Sequence, residues 1–126
     1  MIVAGIGFRA QATVEDLADA ITLSKKHTGQ APDAIASVAE KAEQPQLAAL
    51  AQRMNVPLYA LDEKEISGEP TLTRSPRIKA RFGVGSLAEA AAVVAARKEF
   101  GGSVRLLAPR VITPNGMATA ALAERI

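Results

Sequence analysis

The chain has 126 residues, 48% of them hydrophobic and 22% charged, which fits one folded domain with a core that needs no cross-links. It contains no cysteine and a single histidine, His27, so disulfides, thiolate catalysis and metal sites built from several Cys or His ligands are excluded. The net charge of +2 is uneven: residues 1–66 sum to −3 and residues 67–126 to +5, so the second half suits an anionic partner, with a solvated basic face as the competing reading. No apolar run approaches the about 18 residues of a membrane span. The N-terminus carries no basic region or cleavage site, so a single cytoplasmic domain over residues 1–126 is expected. Aromatic residues make up 3% and Trp is absent, which argues against a stacking platform for nucleic acid.

Ile2 to Phe8 is apolar, rich in β-branched residues, and reads as a buried strand. Thr13 with Asp16 resembles a capping box, and Val14, Leu17, Ala18 and Ile21 follow as a helical stripe that Gly29 and Pro32 end. Ala34 to Ala39 is a second strand, apolar almost throughout, as expected for a strand covered on both faces. Pro45 opens a second helix bearing Leu47, Leu50, Ala51 and Met54, and Asn55 closes it. Pro57 to Leu61 reads as a third strand, and Asp62 to Ile66 as a helical turn. Ser67 to Ser75 is read as a loop, followed by a short helix from Ser75-Pro76 that places Ile78 and Phe82 four residues apart. Ser86 and Glu89 read as a full capping box ahead of a long Ala-rich helix that Gly101-Gly102 ends. Val104 to Ala108 and Met117 to Ala123 read as two strands paired antiparallel. The order predicts a three-layer α/β fold: a mostly parallel sheet of about five strands with helices on both faces.

In such a sheet, ligands bind beyond the carboxyl ends of the strands. After the first strand come Gly7, which admits close approach to the backbone, and Arg9, which offers a bidentate cation. After the second come Lys41, a candidate anion binder, and Glu43, a candidate acid, base or hydrogen-bond acceptor. Each has a plainer explanation: a tight turn with a solvated arginine, or a carboxylate favouring the following helix start. Arg74, Arg77, Lys79 and Arg81 form a basic cluster suited to several carboxylates or phosphates, and Arg110 adds a cation further on. Glu89 is a site candidate whose competing role is the cap itself. Phe8, Leu72 and Phe82 offer apolar area, and Thr71, Thr73, Thr113 and Thr119 offer hydroxyls. His27 reads as a helix-end charge. No nucleophile elbow, phosphate loop or zinc-protease motif is present, so the residues by themselves give an anion pocket without an assembled catalytic machine.

Several segments carry a family resemblance: Gly5-Ile-Gly7-Phe-Arg9, Lys41-Ala-Glu43, Leu47-Ala-Ala-Leu50-Ala, Val56-Pro57-Leu58, Gly83-Val-Gly-Ser-Leu-Ala-Glu89-Ala-Ala-Ala, and the closing strand with Thr119. In this order they resemble the family of CobE and of the C-terminal domain of CbiG, and the resemblance spans essentially the whole chain. It implies a role in making the corrin ring of vitamin B12. The longer members open a lactone on a cobalt-containing precorrin and expel a two-carbon fragment. The resemblance here is to their C-terminal part alone, and the CobE type belongs to the oxygen-dependent route. It therefore implies binding of an anionic tetrapyrrole as carrier or accessory factor, with precorrin hydrolysis or docking to other pathway enzymes as alternatives. No cofactor, resident metal, nucleic acid or membrane is expected. The expected pocket is Gly7, Arg9, Lys41, Glu43, Glu89 and Arg110, with Glu43 as acid or base in the enzymatic alternative.

Overall fold

The computed structural model describes all residues, 1–126. The chain forms β1 (Ile2–Phe8), α1 (Val14–Thr28), β2 (Ala34–Val38), α2 (Ala39–Ala42), α3 (Pro45–Met54) and β3 (Leu58–Leu61). It continues with α4 (Glu63–Ile66), α5 (Pro76–Phe82), α6 (Leu87–Phe100), β4 (Val104–Leu106), β5 (Val111–Ile112) and β6 (Ala118–Arg125). The strands make one sheet in the order β3-β2-β1-β6-β4, with β5 pairing β6. β1, β2 and β3 are mutually parallel, and β6 pairs antiparallel with β1, β4 and β5. Five strands therefore share one direction and β6 alone is reversed. The expected three-layer, mostly parallel sheet is what forms.

Alternation along β1 divides the molecule into two cores. Ile2, Ala4, Ile6 and Phe8 face Leu17, Ala20 and Ile21 of α1 and Leu47 and Leu50 of α3. Val3 faces α6, joined by Ala36 and Val38 of β2. That face is lined with small residues because the helix lies close. A Cβ at Gly5 would fall onto the carbonyl oxygen of Ala88 and 2.5 Å from the amide nitrogen of Ala92. Leu87 to Ala96 of α6 are all buried, and apart from Glu89 all are apolar, as expected of an interior helix.

Local signals act as read. The Thr13 side chain accepts from the Asp16 amide and the Asp16 carboxylate from the Thr13 amide, while Gly29 ends α1 in the left-handed conformation. Pro45 stands at the start of α3, and Asn55 closes it at φ 56°. Asp62 and Glu65 form a further capping box at α4. Three expectations are corrected. The second strand ends at Val38 rather than Ala39, which already opens the helical turn α2. Ser86 and Glu89 make only half a capping box: the Ser86 hydroxyl accepts from the Glu89 amide, but the carboxylate bonds elsewhere. The last strand does pair with β4, but over a short stretch at its far end. Its long partner is β1, from Ile2 opposite Glu124 to Phe8 opposite Ala118.

Candidate functional site

A cavity of about 500 Å³ opens beyond the carboxyl ends of β1 and β2. Because β6 is reversed, its first residues, Ala118 and Thr119, reach the same edge. Gly7, Phe8 and Arg9 continue from β1, and Glu40 and Lys41 come from α2. The opposite wall is α5, whose start is fixed by Ser75, the side chain of which accepts from the Ile78 amide. Residues 77 and 81, four apart, lie on one helix face, so α5 turns Arg77 and Arg81 into the cavity. Phe8, Ile78, Phe82, Leu87, Ile112 and Met117 supply apolar lining. At Gly7 a Cβ would stand 2.7 Å from the Thr119 hydroxyl, so the glycine keeps this backbone accessible beside a donor.

The charge of the cavity is lopsided. Arg9, Lys41, Arg77, Arg81 and Arg110 line it against one carboxylate, Glu40. Arg81 is ion-paired to Glu40 and, at 3.0 Å, to Glu63, and stacks 4.6 Å from the Phe82 ring centre. None of the other four cations has a carboxylate partner. Arg9 donates to the Gly116 carbonyl at 3.3 Å. Lys41 stands 5.2 Å from the centre of the Phe8 ring. Burial holds the Lys41 ammonium below its ordinary pKa. Glu40 works against that shift, and the neighbouring Arg77 and Arg81 guanidiniums add to it. An incoming anion would relieve this crowding of like charge.

Four of the six expected site residues, Gly7, Arg9, Lys41 and Arg110, line the cavity. Glu43 does not. It closes α2, its amide bonding the Ala39 carbonyl, with its side chain exposed, and Glu40 is the carboxylate that faces in. Glu89 lies beneath the wall, fully buried. One of its oxygens accepts from the Leu72 amide (2.6 Å) and the Thr73 amide (3.1 Å). The other accepts from the Thr73 hydroxyl (2.8 Å) and the Arg110 amide (2.9 Å). The basic cluster is split by α5: Arg77 and Arg81 enter this cavity, while Arg74 and Lys79 line a second one of about 410 Å³ with Glu69, Pro70 and Thr71. Leu72, expected as apolar floor, is 63% exposed and outside the cavity, whereas Phe8 and Phe82 do line it. Of the four threonines only Thr119 reaches it. Arg77 and Arg81 carried a signal in their helical spacing; Ile112 and Met117 carried none, because the turn that delivers them is fixed by pairing to β6.

The family model described as Cobalamin synthesis G C-terminus matches residues 2–123. A search of curated proteins gave no match. Among solved structures, the chain is similar to CobE, a protein from the cobalamin (vitamin B12) biosynthetic pathway, at 29% identity and a TM-score of 0.88, over 98% of this chain and 92% of that one. It is similar to the cobalamin biosynthesis protein chiG from Agrobacterium tumefaciens str. C58 at 27% identity and a TM-score of 0.76, over 99% and 98%. A cobalamin biosynthesis protein G homologue from Sulfolobus solfataricus shares the fold at 22% identity and a TM-score of 0.70, with this chain covering 36% of its length. With the family matched from the first strand into the last, the chain belongs to the cobalamin synthesis G C-terminus family and is a protein of cobalamin biosynthesis.

Proposed function

We propose that the cavity binds an anionic tetrapyrrole of the corrin pathway, and that the protein acts in the cytoplasm as its carrier or as an accessory factor to a pathway enzyme. The observation that carries this reading is the cavity's charge: five cationic side chains over an apolar floor, four of them without a carboxylate partner. A corrin precursor is an apolar macrocycle ringed by carboxylates, and it needs this combination of scattered cations and apolar contact. A cavity of about 500 Å³ takes one edge of the macrocycle with its acid arms and leaves the rest outside. Gly7, Arg9, Lys41 and Arg110 are assigned to ligand contact, joined by Arg77 and Arg81. Carriage is favoured over catalysis because the carboxylates are poorly placed for proton transfer: Arg81 engages Glu40, and Glu43 stands outside the cavity.

The test is an absorbance titration with a panel of corrin precursors, with and without cobalt. The expected result is a saturable shift with at least one of them, lost on charge reversal at Arg9 and Lys41. Unchanged affinity in Arg9→Glu and Lys41→Glu would remove the pocket from consideration. Absence of a shift with every precursor would transfer the role to protein–protein contact. Turnover of a bound precursor by the wild-type protein would replace the carrier reading with an enzymatic one.

A further inference from the structure

We propose that Glu89 is a positioning residue for ligand binding, acting through the backbone of Arg110; this rests on the binding reading above. Glu89 is 0% exposed and has no cationic partner, yet four donors converge on it. They come from two segments distant in sequence. Leu72 and Thr73 belong to the loop that leads into α5, and Arg110 to the turn between β4 and β5. The carboxylate occupies the third position of α6, where the helix start favours negative charge. From there it fixes both walls of the cavity to the most deeply buried helix.

The Arg110 bond matters most because of the residue before it. Pro109 has no amide hydrogen, so the Ala108-Pro109-Arg110 turn depends on its remaining donors. The Leu107 amide bonds the Leu122 carbonyl on one side, and pairing to β6 resumes at Val111. Between them, the 2.9 Å bond from the Arg110 amide to Glu89 ties the turn to the core. It sets the position from which the Arg110 side chain enters the cavity.

The chemistry of the four bonds makes Glu89→Gln a selective perturbation. A carboxamide has one accepting oxygen and one donating NH₂ group. If the NH₂ group faced the loop, two backbone amides would lose their acceptor. If it faces the other way, the Thr73 hydroxyl reverses and accepts, and only the Arg110 amide meets a donor. Glutamine therefore keeps the loop and releases Arg110.

Two measurements test this. Without ligand, amide hydrogen exchange in Glu89→Gln speeds up at Arg110 by about tenfold or more, while Leu72 and Thr73 keep their protection. With cobyrinic acid as the probe (a corrin polycarboxylate), Glu89→Gln weakens binding about tenfold, and adds nothing further in an Arg110→Gln background. Unchanged exchange at Arg110 overturns the proposal whether or not the probe binds. Equal loss of affinity in both backgrounds also overturns it, because Glu89 would then be acting on the fold at large. Failure of the wild type to bind cobyrinic acid while Arg110 is released as expected would sink the binding reading, and with it the part assigned to Glu89 in binding. Should Glu89→Gln not fold, Glu89→Asp keeps the carboxylate, withdraws it by one methylene, and reads the same coupling.

Discussion

Replacing Gly5 by alanine tests the contact on which the central strand and the buried helix depend. Gly5 lies in the middle of β1, and its φ is not positive, so its backbone asks for no special conformational freedom. On propensity alone, alanine in a strand would be favoured over glycine by about 0.5–1 kcal/mol. The helix reverses that sign. The new methyl would overlap the Ala88 carbonyl oxygen and stand 2.5 Å from the Ala92 nitrogen, and both are backbone atoms that no rotamer change can move aside. Restoring an ordinary contact of about 3.5 Å to the Ala88 oxygen needs a local shift of about 1.5 Å, shared between α6 and the strand, enough to forfeit about half of each dispersion contact across that layer. Added to the usual cost of overpacking, about 1–3 kcal/mol, the expected loss is about 3 kcal/mol of a total near 5–15 kcal/mol. Urea unfolding followed by circular dichroism reads this directly, and the melting temperature should fall by roughly 10 °C. Gly29→Ala is the contrasting variant. Its position has φ 70° and open space where the methyl would be added, so it loses only the conformational preference, about 1–2 kcal/mol. A Gly5→Ala protein that is as stable as wild type, or more so, would refute the claim that helix and strand meet backbone to backbone.

The other predictions are smaller. Thr13→Ala removes the side chain that caps α1 and should cost about 1 kcal/mol in the same urea assay. Ser37→Ala deletes a buried hydroxyl that donates to the Ile6 carbonyl at 2.7 Å, and should cost about 1–2 kcal/mol by leaving that oxygen unpaired. Lys41→Met should raise the melting temperature at neutral pH while weakening corrinoid binding in the absorbance titration. The sign follows from the depressed pKa of Lys41: its charged form is disfavoured in the folded state, so the penalty is complete below the folded pKa and is relieved as pH rises toward the ordinary value of 10.5. Melting curves taken between about pH 7 and pH 10 should therefore show the difference between wild type and Lys41→Met shrinking.

What could be read from the sequence was what neighbouring residues decide among themselves. Thr13 with Asp16 and Ser75-Pro76 mark helix starts because a cap is satisfied within four residues, and Pro45 because its ring presets the first helical position. The apolar run of β1 signals burial on both faces because no polar residue alternates with it. The place of β6 between β1 and β4 was not legible, since it depends on pairing across more than a hundred residues. The same distance hid the partners of Glu89. Its spacing from Ser86 suits a capping box, but the Leu72, Thr73 and Arg110 donors arrive from elsewhere and take the carboxylate. Glu43 shows a local limit. Four residues of α2 are too few to reveal a helical period, so whether residue 40 or 43 faces the ligand edge could not be told from pattern. The cationic side of the cavity fared better, because Arg9 and Lys41 follow directly on strands whose ends define that edge.

The reversed strand also sets a timetable for the protein's synthesis. β6 comprises residues 118–125 and is the last of the six strands to be synthesised, yet it fills the gap between β1 and β4. Until then β1 presents an unpaired edge along its full length, and β4 and β5 have no strand to join. Contacts of such long range are slow to form, and an open strand edge is a template for pairing with another chain. Helix α1, which packs mainly against β6, also waits for that strand, and the cavity cannot exist before the sheet closes, because Ala118 and Thr119 form part of its wall. A nascent chain released short of residue 118 would thus lack the cavity and expose an open strand edge at the same time.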